Sequence, residues 1–128
     1  MKEIVHTDAA PAAIGPYSQA VRAGDLLFVS GQLPLDPGTG EFVPGGIAEQ
    51  TTQCLKNLEA ILRAGGSSIA NVVKVTVYLQ NISDFGAMNE AYAAVFGESV
   101  PARAAFEVAA LPKQAMVEIE AVATVDNG

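Results

Sequence analysis

The chain has 128 residues, half of them hydrophobic and 16% charged, with 12 Gly and 7 Pro. That length fits a single domain, 1–128, and area scaling to about 6,400 Å² folded against about 19,000 Å² unfolded leaves roughly two thirds of the surface to bury, enough for a core without staples. Seven Lys/Arg against 14 Asp/Glu give a formal charge of −7, which argues against a nucleic-acid partner, because phosphate binding needs cations that displace counterions.

The N-terminal stretch 1–13 carries Lys2, Glu3 and Asp8 and lacks the basic start and apolar run of a signal peptide. No run in the chain approaches the roughly 18 apolar residues of a membrane span, so the expectation is a cytoplasmic protein with no membrane partner. Ile4-Val5 reads as a short strand and Gly15-Pro16 as a turn. Ser18 to Val21, the Gly24-Asp25 turn and Leu26 to Val29 then form a hairpin, whose second strand is apolar on both faces, as a buried central strand would be. Leu33 to Gly46 holds three Pro and four Gly and reads as a loop.

From Ile47 the apolar period becomes helical, with Ile47, Thr51, Cys54, Leu55, Leu58, Ile61 and Leu62 on one stripe ended by Gly65-Gly66. Val72 to Leu79 is a strand with Val73, Val75, Val77 and Leu79 on one face and Lys74, Thr76 and Tyr78 on the other. A helix of about three turns follows, capped by Ser83 or Asp84, with a Phe85, Met88, Tyr92, Val95, Phe96 stripe and Gly97 as its left-handed end. Two further strands, Ala104 to Ala109 and Met116 to Val125, flank a Leu111-Pro112-Lys113 turn. The order β-β-β-α-β-α-β-β implies an α+β domain with two helices on one face of a mixed sheet. Lys74, Thr76, Tyr78, Glu118, Glu120, Val122 and Thr124 would share the opposite face, a mixed polar and apolar surface suited to a subunit interface. The low charge and positive mean hydropathy of +0.29 point the same way, to homo-oligomerisation.

Motifs for nucleotide phosphates, zinc proteolysis and serine hydrolysis are absent. Cys54 and the lone His6 offer no zinc ligand set, and Cys54 on the first helical stripe reads as a small buried hydrophobe. Arg103 is the one cation in the apolar stretch Val100 to Phe106 and needs a partner, either Glu107 or Glu118 in an ion pair or a substrate carboxylate in a bidentate clamp. Glu118 and Glu120, two apart in a strand, point to one face with Cα atoms about 6.5 Å apart. They are either a solvated pair or, partly buried, an acid/base pair with one raised pKa. Tyr17 and Ser30 offer hydroxyls to a pocket, and Asn89 adjoins the second helical stripe.

Ala10-Pro11-Ala12-Ala13-Ile14-Gly15-Pro16-Tyr17-Ser18-Gln19-Ala20, Val29-Ser30-Gly31-Gln32, Asp84-Phe85 with Asn89, Pro101-Ala102-Arg103, Leu111-Pro112-Lys113 and Val117-Glu118-Ile119-Glu120-Ala121 occur in order along almost the whole chain. Together these motifs make it similar to the RidA (YjgF) family of reactive imine/enamine deaminases. The resemblance implies a chorismate-mutase-like α+β fold and a homotrimer with clefts between subunits. It implies hydrolysis of small 2-imino or enamine acids (2-aminoacrylate, 2-iminobutanoate) to 2-oxo acids and ammonia, with no cofactor and no metal. Carried over, Arg103 would hold the substrate carboxylate and Glu118 would position or activate water. Tyr17, Ser30, Gly31, Asn89 and Ala105 would line the cleft, and Glu120 would be the lesser carboxylate. Many members have a cysteine where this chain has Ala105, so thiol-dependent regulation is not expected there. A non-catalytic trimeric module that binds small 2-oxo or amino acids is the alternative. A ribonuclease or translation-inhibitor role, attached to some relatives, conflicts with the −7 charge.

Overall fold

Alternation along the last strand organises the molecule. In the computed structural model, which describes residues 1–126, Val117, Ile119, Ala121 and Ala123 are buried while Glu118, Glu120 and Val122 between them are only half-buried. The final two residues of the expected 1–128 domain lie outside the described residues. The strands are β1 (Lys2–Val5), β2 (Ala20–Ala23), β3 (Leu26–Gln32), β4 (Val72–Leu79), β5 (Ala102–Glu107) and β6 (Val117–Thr124), with helices α1 (Ile47–Ala64) and α2 (Phe85–Phe96). They form one six-stranded mixed sheet in the order β1-β2-β3-β6-β4-β5. Only β4 and β5, joined through α2, pair in parallel. The expected α+β order and the placement of both helices over one sheet face are borne out.

Helix α1 starts where the Gly46 N–H donates to Glu49 Oε1 at 2.8 Å, half of a capping box. It stops at Gly65, with the left-handed turn made by Gly66 (φ 84°). The expected stripe is the buried face: Thr51, Cys54, Leu55, Leu58, Ile61 and Leu62 are inaccessible, and Ile47 packs at its edge. It lies across β3 and β6 and against α2. Each fully buried Leu or Ile contributes about 1.5–3 kcal/mol of transfer free energy, so this interface carries the fold.

Three expectations need correction. Val73 is 45% exposed, and Val72 takes the inward place, because the β4–β6 ladder shifts register between Val72 and Lys74. Strand β3 is central but not covered on both sides: Leu27 and Val29 are buried, while Leu26 and Phe28 face outward, 39% and 46% exposed. Neither Ser83 nor Asp84 caps α2 with its side chain; Asn81 Oδ1 accepts from the Ser83 N–H at 3.0 Å and shapes the preceding turn. Gly97 ends α2 at φ 58°, as expected. Strand ends also move: β2 spans Ala20–Ala23, β5 Ala102–Glu107 and β6 Val117–Thr124.

On the uncovered face the cross-strand neighbours run Val21, Phe28, Val122 and Lys74, with Tyr78 beside Glu118 and Thr76 beside Glu120. The seven residues expected on that face share it. Buried Asn57 fastens the 33–46 loop to α1, its Nδ2 donating to Leu33 O at 3.1 Å and Leu35 O at 2.9 Å.

Candidate active site

At one end of the uncovered face lies a cleft of about 650 Å³, walled by the segments around Pro11, Tyr17, Leu33 and Lys113, with Ser30, Gly31, Glu118 and Glu120 beneath. The walls are fixed by amide side chains. Buried Gln19 accepts from the Thr7 N–H at 2.7 Å and donates to Pro11 O at 2.9 Å, which holds the N-terminal segment over the sheet. Asn57 holds Leu33 and Leu35 in the same way. Gln19 has no local signal of its own beyond the motif that contains it, and Asn57 is legible only as an amide at helical spacing from Cys54 and Ile61 on the buried stripe of α1.

Four of the expected residues meet in this cleft: Tyr17, Ser30, Gly31 and Glu118. The Ser30 hydroxyl donates to Ser18 O at 2.6 Å, so it presents lone pairs rather than its proton to the cleft. Tyr17 is 52% exposed at the rim. Gly31 lets Glu118 approach closely, since a Cβ there would stand 2.3 Å from Glu118 Oε2 and displace the carboxylate.

The two carboxylates have unlike surroundings. Tyr78 donates a short hydrogen bond to Glu120, which pushes the Tyr78 phenol up to about 12. Glu118 has no hydrogen-bond partner among the described residues. Burial, reinforced by the negative charge of Glu120, raises its pKa above the usual carboxylate value. The pair is therefore a partly buried, differentiated one rather than two solvated surface acids. Tyr78 is the residue that separates them, and only its place on the shared face was legible.

Arg103, Asn89 and Ala105 lie elsewhere. Arg103 pairs across β4 with Val75, and Ala105 with Val77, on the helix-covered side of the edge strand β5. The guanidinium donates from Nη1 to Asn89 Oδ1 at 2.7 Å and stacks 4.8 Å from the Tyr92 ring centroid and 5.5 Å from that of Phe85. It makes no ion pair with Glu107 or Glu118 among the described residues, so the structural ion-pair alternative is corrected: an amide and two aromatic rings hold it. Beneath it the buried Tyr92 hydroxyl lacks a protein partner among the described residues. Burial raises the Tyr92 phenol, with the Arg103 charge opposing.

The remaining sequence candidates play no part. Cys54 is fully buried, its thiol donates to Val117 O at 3.7 Å, and burial pushes its pKa well up, which suppresses the thiolate. His6 is an exposed residue 3.7 Å from Asp8.

The chain is matched over residues 7–125 by the family model described as Endoribonuclease L-PSP. It is 58% identical to a RutC family protein of Pyrococcus horikoshii, over 96% of this chain and 98% of that protein. It is 53% identical to the 2-iminobutanoate/2-iminopropanoate deaminase of Mus musculus, over 96% and 91% respectively. The crystal structure of RidA from the Antarctic bacterium Psychrobacter sp. superposes with a TM-score of 0.92 at 46% identity, covering 96% of this chain and 99% of that one. With the motifs, the sheet order and these matches in agreement, the chain belongs to the RidA (YjgF) family, the family whose model bears the Endoribonuclease L-PSP description.

Proposed function

We propose that the protein hydrolyses small 2-imino and enamine acids, such as 2-iminobutanoate and 2-aminoacrylate, to 2-oxo acids and ammonia. The observation that carries this reading is Glu118, a half-buried carboxyl with raised pKa and no protein partner among the described residues, set against Gly31 in an open cleft. Relatives named for this deamination, 53% identical across nearly the whole chain, support the substrate class.

The chemistry asks for little. The Arg103 fork binds the substrate carboxylate through two charge-assisted hydrogen bonds. An enamine substrate first takes a proton at its β-carbon to become the imine. Water then adds to the protonated imine carbon: the new C–O bond forms, the C=N π pair moves to nitrogen, and Glu118 takes the water's proton. Glu118 returns that proton to the amine nitrogen and then takes the hydroxyl proton: the O–H pair becomes the C=O bond, the C–N bond breaks and ammonia leaves with the C–N pair. Proximity alone supplies up to about 7–11 kcal/mol in such sites. A carboxyl with raised pKa is better matched to both proton transfers near neutrality than an ordinary one.

Arg103 and Glu118 do not share a pocket within one chain, so the reading includes assembly. A homotrimer whose clefts lie between subunits would set Arg103 and Asn89 of one copy opposite Glu118, Tyr17 and Ser30 of the next. The exposed apolar residues of the uncovered face, Phe28 and Phe106 among them, support such packing.

The test is ammonia and 2-oxo acid release from imines made in situ by a threonine/serine dehydratase. Acceleration by wild type, lost in Arg103→Ala and Glu118→Ala, supports the reading. Release at the uncatalysed rate, with 2-oxobutanoate still bound, overturns it in favour of a binding module.

A further inference from the structure

Two consecutive non-glycine residues in the 112–114 turn, Lys113 (φ 56°) and Gln114 (φ 62°), occupy the left-handed region. They are the only described non-glycine residues that do so. Each such residue costs about 1–2 kcal/mol in an L-chain, and strained backbone persists only where its surroundings over-determine it. Here both flanks are clamped. On one side the Leu111 N–H donates to Gln80 Oε1 at 3.0 Å. On the other the Met116 N–H donates to the buried Gln50 Oε1 at 2.9 Å, and Ala115 is fully buried. The clamped turn forms part of the wall of the Glu118 cleft, and Lys113 is the one cation among the residues lining it, which also include two carboxylates, Glu118 and Glu120. Lys113 itself is exposed and has no ion-pair partner within 4 Å among the described residues.

We propose that the strained turn presents Lys113 as a second anion-recognition residue, which draws the carboxylate of the substrate into the cleft. This rests on the proposed deaminase reading. The need is electrostatic: the chain carries a formal charge of −7, and Glu118 and Glu120 line the place where an anionic 2-imino acid must bind. A local cation offsets that repulsion, and its effect on capture weakens as salt screens it. Arg103 then fixes the captured carboxylate by its planar fork, a geometry a lysine ammonium does not provide. Gln114 and the clamps act only through the position they give Lys113.

The experiment measures kcat and KM for in-situ 2-iminobutanoate against salt, with equilibrium binding of 2-oxobutanoate as a readout free of turnover, for wild type, Lys113→Met, Lys113→Arg and Lys113→Gly. The glycine variant relieves the strain and removes the cation, so it folds even if the methionine variant does not. Both are expected to raise KM and Kd roughly fivefold, the upper range for a partly exposed charge pair, with kcat nearly unchanged and the salt dependence flattened. Lys113→Arg should restore both. Wild-type turnover with unaltered KM, Kd and salt dependence in Lys113→Gly overturns the role of Lys113 and leaves the deaminase standing. A wild type that neither turns over imine nor binds 2-oxobutanoate overturns both.

Discussion

Arg103 and Glu118 stand on opposite faces of the same sheet. Arg103 lies level with Val75 on the helix-covered side and Glu118 level with Tyr78 on the uncovered side. A strand between them cannot be crossed by either side chain, so a reaction that uses both draws them from different copies of the chain. On the proposed reading each copy would contribute two half-sites, one built on β5 and α2, the other on β3 and β6.

If Arg103 binds the substrate carboxylate, Arg103→Ala loses two charge-assisted hydrogen bonds, each worth about 1.5–3 kcal/mol. The expected loss in kcat/KM is a hundredfold or more on that scale. The fold should survive at reduced stability, because the losses are the Asn89 hydrogen bond and the stacking on buried Tyr92 and on Phe85, worth about 0.5–2 kcal/mol per contact. Arg103→Lys keeps the charge without the fork and should recover only part of the rate. Steady-state kinetics beside thermal melts separate the two effects.

Gly31→Ala places a methyl carbon 2.3 Å from Glu118 Oε2. The carboxylate must move by about an ångström, a displacement that costs on the order of a hundredfold in positioned catalysis. Turnover should collapse while the circular dichroism spectrum is retained.

Glu118 is held above its ordinary pKa, first by burial and then by Glu120. A carboxyl with a raised folded-state pKa binds its proton more tightly in the fold than in the unfolded chain. Stability is therefore lost as pH rises from the unfolded value through the folded one. Glu118→Gln removes that penalty. The variant should melt at a higher temperature than wild type near neutral pH, with the gain vanishing below about pH 4, where both states are protonated.

Asn57→Ala removes its Nδ2 bonds to the Leu33 and Leu35 carbonyls in the cleft wall, leaving Leu35 O only its longer bond from Gln53 Nε2 at 3.3 Å. Two buried hydrogen bonds lost put the stability cost at about 2 kcal/mol, readable in chemical denaturation. A looser wall should also raise KM.

Periodicity made the α1 stripe and the β6 alternation legible, and with them the shared face of Glu118 and Glu120. Local pattern could not show the register shift that turns Val73 outward, because a bulge depends on the partner strand β6. Nor could it show that Phe28 faces outward: an apolar run looks the same whether its second side meets a helix or nothing. The motifs picked out Tyr17, Ser30, Gly31, Asn89, Ala105, Arg103 and Glu118 as candidates, but their division between two faces follows from strand order, which pairs β3 with β6 and leaves β5 at the edge. Tyr78 and Lys113 needed coordinates, one for its bond to Glu120 and the other for its backbone angle.

The most direct measurement is complementation between two inactive variants. Arg103→Ala and Glu118→Ala chains are unfolded together, reassembled at equal ratio and assayed for ammonia release. A head-to-tail ring whose clefts take Arg103 from one copy and Glu118 from the next recovers about a quarter of wild-type activity by random assortment. No recovery from mixed assemblies, with wild type reassembled alongside and active, contradicts a cleft shared between copies.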